Sequence, residues 1–414
     1  TGVQTCALPI YVRGGKKMTT KRVKKMGKEE MKEMFDLVIY AFNQEPTAER
    51  QERFEKLLSH TQSYGFLIDE QLTSQVMATP FQVNFHGVRY PMAGIGYVAS
   101  YPEYRGEGGI SAIMKEMLAD LAKQKVALSY LAPFSYPFYR QYGYEQTFEQ
   151  AEYTIKTEDW PRVKRVPGTI KRVSWADGKE VIKDVYLENQ RAHSGGVIRE
   201  TWWLDYTLNR ASKPNNQAIY YSSEGKAEGY VIYRIAAGTF EIVEWNYLTN
   251  TAFKALAGFI GSHSGSVQSF HWINGFAGKD LNDLMPTPAA SVKILPYMMA
   301  RIVELQTFLE KYPFQSGEKE TYSLEIEDSY GPWNEGIWTI TIDEQGKATV
   351  TKGAVEKEGT AALKADIQTW TQLFLGYRSA ETLSFYERLQ GDATTAQRLG
   401  QRLVKGMPIL EDYF

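Results

Sequence analysis

The sequence predicts a mixed α/β protein built from three successive units, and three stretches carry that prediction. Met92-Ala-Gly-Ile-Gly-Tyr-Val-Ala99 is an apolar strand that runs into a turn of Arg105, Gly106, Gly108 and Gly109 and then into a helix. The same element order returns between Gly229 and Ile273. Further on, Tyr322–Glu327 and Gly336–Ile342 alternate with a period of two and are followed by helical segments. A period of two marks a half-buried strand, and three-and-four spacing marks an amphipathic helix. At 414 residues the chain has length enough for two or three domains, each burying its own core.

The first 17 residues, Thr1 to Lys17, show neither period, while Met18-Thr-Thr-Lys21 opens like a natural start. Residues 1–17 are therefore expected to be a non-native or disordered leader and are set aside. They hold the only cysteine, Cys6, so no disulfide, cysteine metal site or cysteine nucleophile is expected. A first unit, 18–150, begins with a strand. Lys28–Phe42 is a helix with Met31, Met34, Phe35, Val38 and Phe42 on one face, and Arg50–Leu58 is a second helix. Gly65–Ile68, Ser74–Phe85 and Met92–Ala99 read as antiparallel strands, with His86 and Gly87 as a hairpin turn. After the glycine turn, Ile110, Ile113, Met114, Met117, Leu118 and Leu121 keep helical spacing, and Val126–Ala132 is a buried strand.

A second unit, 151–295, contributes strands Gly229–Ile235 and Phe240–Trp245, a helix Thr251–Ile260, and a strand Val267–Ile273. Its turn, Trp245 to Thr251, has neither Arg nor Gly, so a phosphate would be held off the backbone there. In a third unit, 296–406, Tyr297–Tyr312 reads as a helix with Met298, Ile302, Leu305 and Leu309 in register. Strands Tyr322–Glu327 and Gly336–Ile342 of an antiparallel sheet follow, with a short one at Thr349–Thr351. Two helices, Ile367–Leu375 (ended by Gly376) and Ala380–Leu389, close the unit before a tail at 407–414.

Charge is nearly balanced, 47 basic residues against 49 acidic, which gives no general surface for nucleic acid or anionic membrane. No apolar run approaches the roughly 20 residues of a membrane-spanning helix. The chemistry concentrates instead at the strand–glycine turn–helix junction. There, unpaired amides and the helix dipole converge on one point, a ready site for phosphate or pyrophosphate. Gly94-Ile-Gly96 imitates a dinucleotide fingerprint but lies inside a strand with Pro102 after it, so its context fails. The five histidines, at 60, 86, 193, 263 and 271, belong to no constellation.

The spacing Pro102-x-x-Arg105-x-x-Gly108-x-Ile110 resembles the acetyl-CoA pyrophosphate loop of the GNAT acetyltransferases, and in particular the Eis-type (enhanced intracellular survival) branch. Resemblance runs from Met18 to Phe414: a catalytic GNAT domain, a degenerate second GNAT domain, a sterol-carrier-like domain, and a tail inserted into the active site. It implies an acetyl-CoA-dependent N-acetyltransferase acting on a primary amine of an aminoglycoside, a polyamine or a lysine side chain. Catalysis would go by direct attack in a ternary complex, without metal. It further implies a cytoplasmic enzyme and a homo-oligomer, a hexamer of two trimers.

By the same resemblance, Tyr139 is the general acid and the carboxylate of Phe414 the general base. Amides of Val98, Ala99 and Ser100 pair with pantetheine; Gly106, Glu107, Gly108, Gly109, Ile110 and Ser111 hold the pyrophosphate beside Arg105; Phe134 and Ser135 flank the pantetheine. Glu411 and Asp412 could add negative field for a cationic amine. An alternative is a protein that senses CoA and binds an apolar ligand without turnover; a third is transfer of a longer acyl chain.

Overall fold

The computed structural model describes residues 20–275, 281–288, 290–353 and 362–414. The expected leader and Cys6 lie outside them. Strands β1 (Lys21–Met26), β2 (Gln62–Ile68), β3 (Gln71–Phe85), β4 (Val88–Ser100) and β5 (Leu128–Leu131) run side by side in that order in the first sheet. β1 to β4 are antiparallel, and the β3–β4 hairpin turns at His86 and Gly87, both with positive φ. β4 and β5 are parallel, as the intervening helix requires. Helices α1 (Met31–Ala41) and α2 (Ala48–Leu58) bury Met34, Phe35, Val38, Phe54 and Leu57 on one side. Helix α3 (Gly109–Lys123) buries Ile113, Met114, Met117, Leu118 and Leu121 in a core with Tyr64, Val76, Ala78 and Ile95. Helix α4 (Tyr136–Arg140) follows β5.

Chain order does not match sheet order. Met299–Ile302, read from sequence as helix, is a strand that pairs antiparallel with β5 and with Glu145–Gln146 in the first sheet. Met298, Met299, Ala300, Ile302 and Val303 are all fully buried, so both faces are covered and no period of two survives to mark the strand. The helix begins only at Leu305, where the Glu304 carboxylate accepts from the Thr307 amide at 2.6 Å, and ends at Lys311. Ser194–Val197 also crosses over, pairing with the distal half of β3.

The second sheet orders its strands 291–296, 149–156, 269–274, 239–247, 227–236, 216–221 and 169–173. Two helices that sequence periodicity did not mark, α5 (Trp175–Gln190) and α6 (Thr201–Leu208), and the expected α7 (Asn250–Gly261) accompany it. The third sheet is mixed rather than antiparallel, because Leu363–Asp366 pairs parallel with Glu320–Glu327. Its core is continuous with that of the first unit: Tyr90 packs on Phe308 with ring centroids 5.1 Å apart and donates to the Phe308 carbonyl at 3.0 Å. The fully buried Arg301 bonds the Tyr142 carbonyl at 2.5 Å and Asp328 at 2.6 Å, fastening the same seam. Among the described residues no helix is long and apolar enough to cross a membrane.

Candidate active site

At the glycine turn the backbone does what the spacing predicts. Gly106 and Gly108 sit at φ +87° and +78°, conformations that favour glycine. A Cβ on either would meet nothing within 4 Å, so dihedral angle, not crowding, requires glycine at those two positions. Gly109 differs: a Cβ there would lie 2.6 Å from Ser74 Oγ, so its bareness lets α3 pack down on β3. The first intrahelical bond of α3 runs from the Ala112 amide to the Gly108 carbonyl. Amides of Gly109, Ile110 and Ser111 precede it, and Gly108 has no side chain to cap them. Glu107 is turned aside into an ion pair with Lys21 at 2.6 Å, and Arg105 is exposed beside the turn.

Pairing of β4 with β5 stops at Ile95 and Leu131, although β4 runs on to Ser100. The strands therefore splay, leaving one edge of β4 without a strand partner. The Tyr101 amide donates to Thr73 in β3 at 3.0 Å. Amides alternate in direction along an extended strand, so Ala99 also turns to β3, and Val98 and Ser100 face the open edge. In the second unit the parallel pair 239–247 and 269–274 also parts early, at Ile242 and Trp272, but the equivalent junction is capped and filled with rings. Thr249 caps α7 by accepting from the Ala252 amide at 3.1 Å, and Trp245 stacks on Phe253 at 5.2 Å and packs against Trp272 at 5.3 Å.

A cavity of about 690 Å³ opens from the splay. Val98, Phe134, Tyr139, Tyr413 and Phe414 line it, together with α1, α2 and residues at the end of α6. None of the five histidines does. Tyr139 is 2% exposed, between the rings of Phe134 at 5.3 Å and Phe138 at 5.2 Å. Burial, reinforced by the neighbouring phenols of Tyr144, Tyr142 and Tyr413, holds its hydroxyl well above the usual phenol value, so it stays protonated. Ser135 spends its Oγ capping α4, accepting from the Phe138 amide at 3.4 Å.

The tail reaches this cavity because two glycines in β4 make room for it. A Cβ on Gly94 would lie 2.9 Å from the Phe414 ring, and one on Gly96 would lie 3.1 Å from the Phe414 carboxyl carbon. Upstream, Ile409 donates to the Ser194 carbonyl at 2.7 Å, and the Tyr297 hydroxyl donates to the Asp412 carbonyl at 2.8 Å. Asp412 accepts from Arg199 Nε and from Trp203 Nε1, both at 2.8 Å. Arg199 also bonds Glu244 at 2.9 and 2.7 Å, and its guanidinium lies 3.9 Å from the Tyr186 ring centroid. Thus Glu411 and Asp412 do not face the cavity, contrary to expectation: their carboxyls are buried against the second unit. Desolvation first, then the charges of Glu244 and Asp412, push the Glu411 carboxyl up to about 8, against the opposing pull of Arg199. The anchor Arg199, the clearance at Gly96, and the role of Trp203 carried no signal in the sequence.

A splayed parallel strand pair, bare helix-end amides and a buried phenol beside the gap are the arrangement that the resemblance to acyltransferases led one to expect. Comparison with known proteins agrees. Residues 22–147 and 195–302 match models of the acetyltransferase (GNAT) domain, and 305–411 a sterol carrier protein domain. A crystal structure of a conserved Enterococcus faecalis V583 protein, described as a probable N-acyltransferase, is 98% identical. It matches 96% of this chain and 100% of its own, with a TM-score of 0.93. An uncharacterized N-acetyltransferase of Streptomyces avermitilis is 23% identical over 347 residues, 78% of this chain and 83% of that protein. In fold the chain is similar to Eis1 from Mycobacterium abscessus (19% identity, 95% and 100% of the two chains, TM-score 0.78). The chain belongs to the GNAT N-acetyltransferases, in the tandem-GNAT and sterol-carrier architecture that the fold of Eis1 shares.

Proposed function

We propose that this enzyme transfers acetyl from acetyl-CoA to a primary amine bound in the 690 Å³ cavity, with Tyr139 as general acid and the Phe414 carboxylate as general base. The observation that carries the reading is the convergence of both groups on one cavity at the β4–β5 splay. Amides of Gly106, Gly108, Gly109, Ile110 and Ser111 hold the pyrophosphate, with Arg105 adding charge; amides of Val98 and Ser100 pair with the pantetheine arm.

The acceptor nitrogen attacks the thioester carbonyl directly, forming the C–N bond. Its surplus proton passes to the Phe414 carboxylate, which Gly96 leaves room to seat. Collapse of the tetrahedral species breaks the C–S bond, and Tyr139 protonates the departing thiolate. A phenol kept neutral by burial is available for that donation throughout the neutral range. Position thus supplies much of the rate, since both proton-transfer groups are held in place before substrate arrives. The resemblance suggests aminoglycosides, polyamines or lysine side chains as acceptors.

Thiol release from acetyl-CoA, followed with a panel of primary amines, tests the reading. Amine-dependent release that is lost on deleting Tyr413 and Phe414, with CoA affinity retained, supports it. Retained CoA binding with no turnover of any amine would leave a CoA-binding protein instead.

A further inference from the structure

The outer part of the cavity is cationic. Arg50 and Arg53 project from α2, three residues apart and hence on one face. Arg210, just past the end of α6, lines the cavity from the second unit. Arg53 is held in place: Nη1 donates to the Tyr206 carbonyl at 2.7 Å, and its guanidinium lies 4.1 Å from the Tyr206 ring centroid. Arg50 donates to the Glu45 carbonyl at 2.8 Å. Among the described residues no carboxylate forms an ion pair with Arg50, Arg53 or Arg210. The one acidic side chain among the described lining residues, Glu49, faces Ser212 of the same lining, its Oε1 accepting from the Ser212 amide at 3.2 Å and hydroxyl at 3.0 Å, so three guanidiniums stand against that carboxylate and the one at Phe414.

Such an arrangement costs self-repulsion that the Tyr206 and Glu45 carbonyls and the Tyr206 ring offset only in part. The Arg210 guanidinium is held below its ordinary value, by partial burial first and then by the like charge of Arg53. Guanidiniums present planar donor forks that match carboxylate and phosphate oxygens. No residue of the 105–111 turn lines this cavity, so the pyrophosphate is served at a different place. Phe35, Val38, Phe42, Phe54 and Leu57 add apolar surface to the lining of the same cavity.

We infer that the acceptor is a primary amine carrying an anionic oxyacid group, carboxylate or phosphate, on an apolar body, and that Arg53 and Arg210 select it. This rests on the acetyltransferase reading above and puts an anionic amine in place of the polycationic acceptors that the resemblance suggests. The amine sits toward Tyr139 and Phe414, the body lies along the apolar surface, and the oxyanion meets the guanidiniums. A polycation of similar length would set a positive charge among like charges.

The experiment uses the full chain at saturating acetyl-CoA and follows thiol release with amines that share one body: phenethylamine, 4-(2-aminoethyl)benzoate and O-phosphotyramine, with spermidine as the polycation. Expected is a kcat/KM for the better anionic amine at least about tenfold above that of phenethylamine, narrowing as salt screens the charges. Which anionic amine is better distinguishes carboxylate from phosphate. In Arg53→Gln and Arg210→Gln the anionic-to-neutral ratio of kcat/KM should fall toward one, chiefly through KM, and Arg53→Lys should restore part of it. The Arg210 carbonyl accepts from the Lys213 amide at 3.2 Å but its side chain makes no hydrogen bond among those described, so Arg210→Gln keeps the test valid if Arg53→Gln folds poorly. A preference for spermidine or phenethylamine over both anionic amines overturns this inference while sparing the acetyltransferase reading. Loss of acetyl-CoA affinity in Arg210→Gln with an unchanged ratio overturns it too, by assigning the arginines to the cofactor. No turnover of any amine defeats the acetyltransferase reading itself.

Discussion

Arg199→Ala should detach the tail from the active site while leaving the cofactor site whole. The side chain is 3% exposed and touches Asp412, Glu244 and the Tyr186 ring. Its removal leaves Asp412 and Glu244 buried, with Glu411 close by, and takes away the cation that binds them together. Removing one partner of a buried ion pair costs about 3–5 kcal/mol, because the other charge stays desolvated. Much of that cost is relieved if residues 411–414 leave their groove and carry Asp412 into water. Even the lower figure shifts the docking equilibrium by roughly 100-fold, at about 1.4 kcal/mol per decade. Steady-state thiol release at saturating acetyl-CoA should show kcat falling by one to two decades, and titration calorimetry should show acetyl-CoA affinity unchanged. Far-UV circular dichroism checks that the second unit is folded. A folded Arg199→Ala protein with parental kcat would refute the claim that this cluster positions Phe414.

Tyr139→Phe keeps the buried ring packing and removes only the hydroxyl, so kcat should drop by about 10²–10⁴ with little change in acetyl-CoA affinity; unchanged turnover removes Tyr139 from the mechanism. Gly96→Ala places a methyl 3.1 Å from the Phe414 carboxyl carbon, which forces the tail back. Its kcat should fall severalfold without loss of melting temperature, and a neutral result would mean the carboxylate needs no fixed seat. Glu411 gives a pH signature. Its docked pKa, about 8, is raised above the ordinary value near 4.3, so its contribution to docking is fully present below the ordinary value and is lost as pH rises through about 8. Proteolytic release of the tail should therefore grow with pH across that window, and Glu411→Gln should flatten the dependence; an equal slope in both proteins contradicts the assignment.

The glycine turn and its flanking elements were legible because local rules govern them. Positive φ at Gly106 and Gly108 and the apolar stripe on α3 are properties of neighbours in sequence. So was the tandem order, although the Thr249 cap and the Trp245 ring cluster that set the second junction apart come from packing. Where partners are distant, the sequence is silent. Arg199 meets Glu244 and Asp412 across 45 and 213 residues, and nothing local distinguishes it from a surface cation. Arg50 and Arg53 look like the solvated face of an amphipathic helix until Arg210 arrives opposite. The Met299–Ile302 strand failed for a different reason. An apolar run buried on all sides has no period, and length alone favoured helix.

That late strand also sets a timetable for synthesis. β5 holds one edge open until Met299–Ile302 has left the ribosome, far downstream of β5 itself. At about 5–20 residues per second the nascent chain carries that exposed edge for on the order of ten seconds or more, an invitation to mispairing that chaperones would have to cover. The amino-terminal third is therefore no portable catalytic module: excised at residue 150, it would lack a strand of its own sheet.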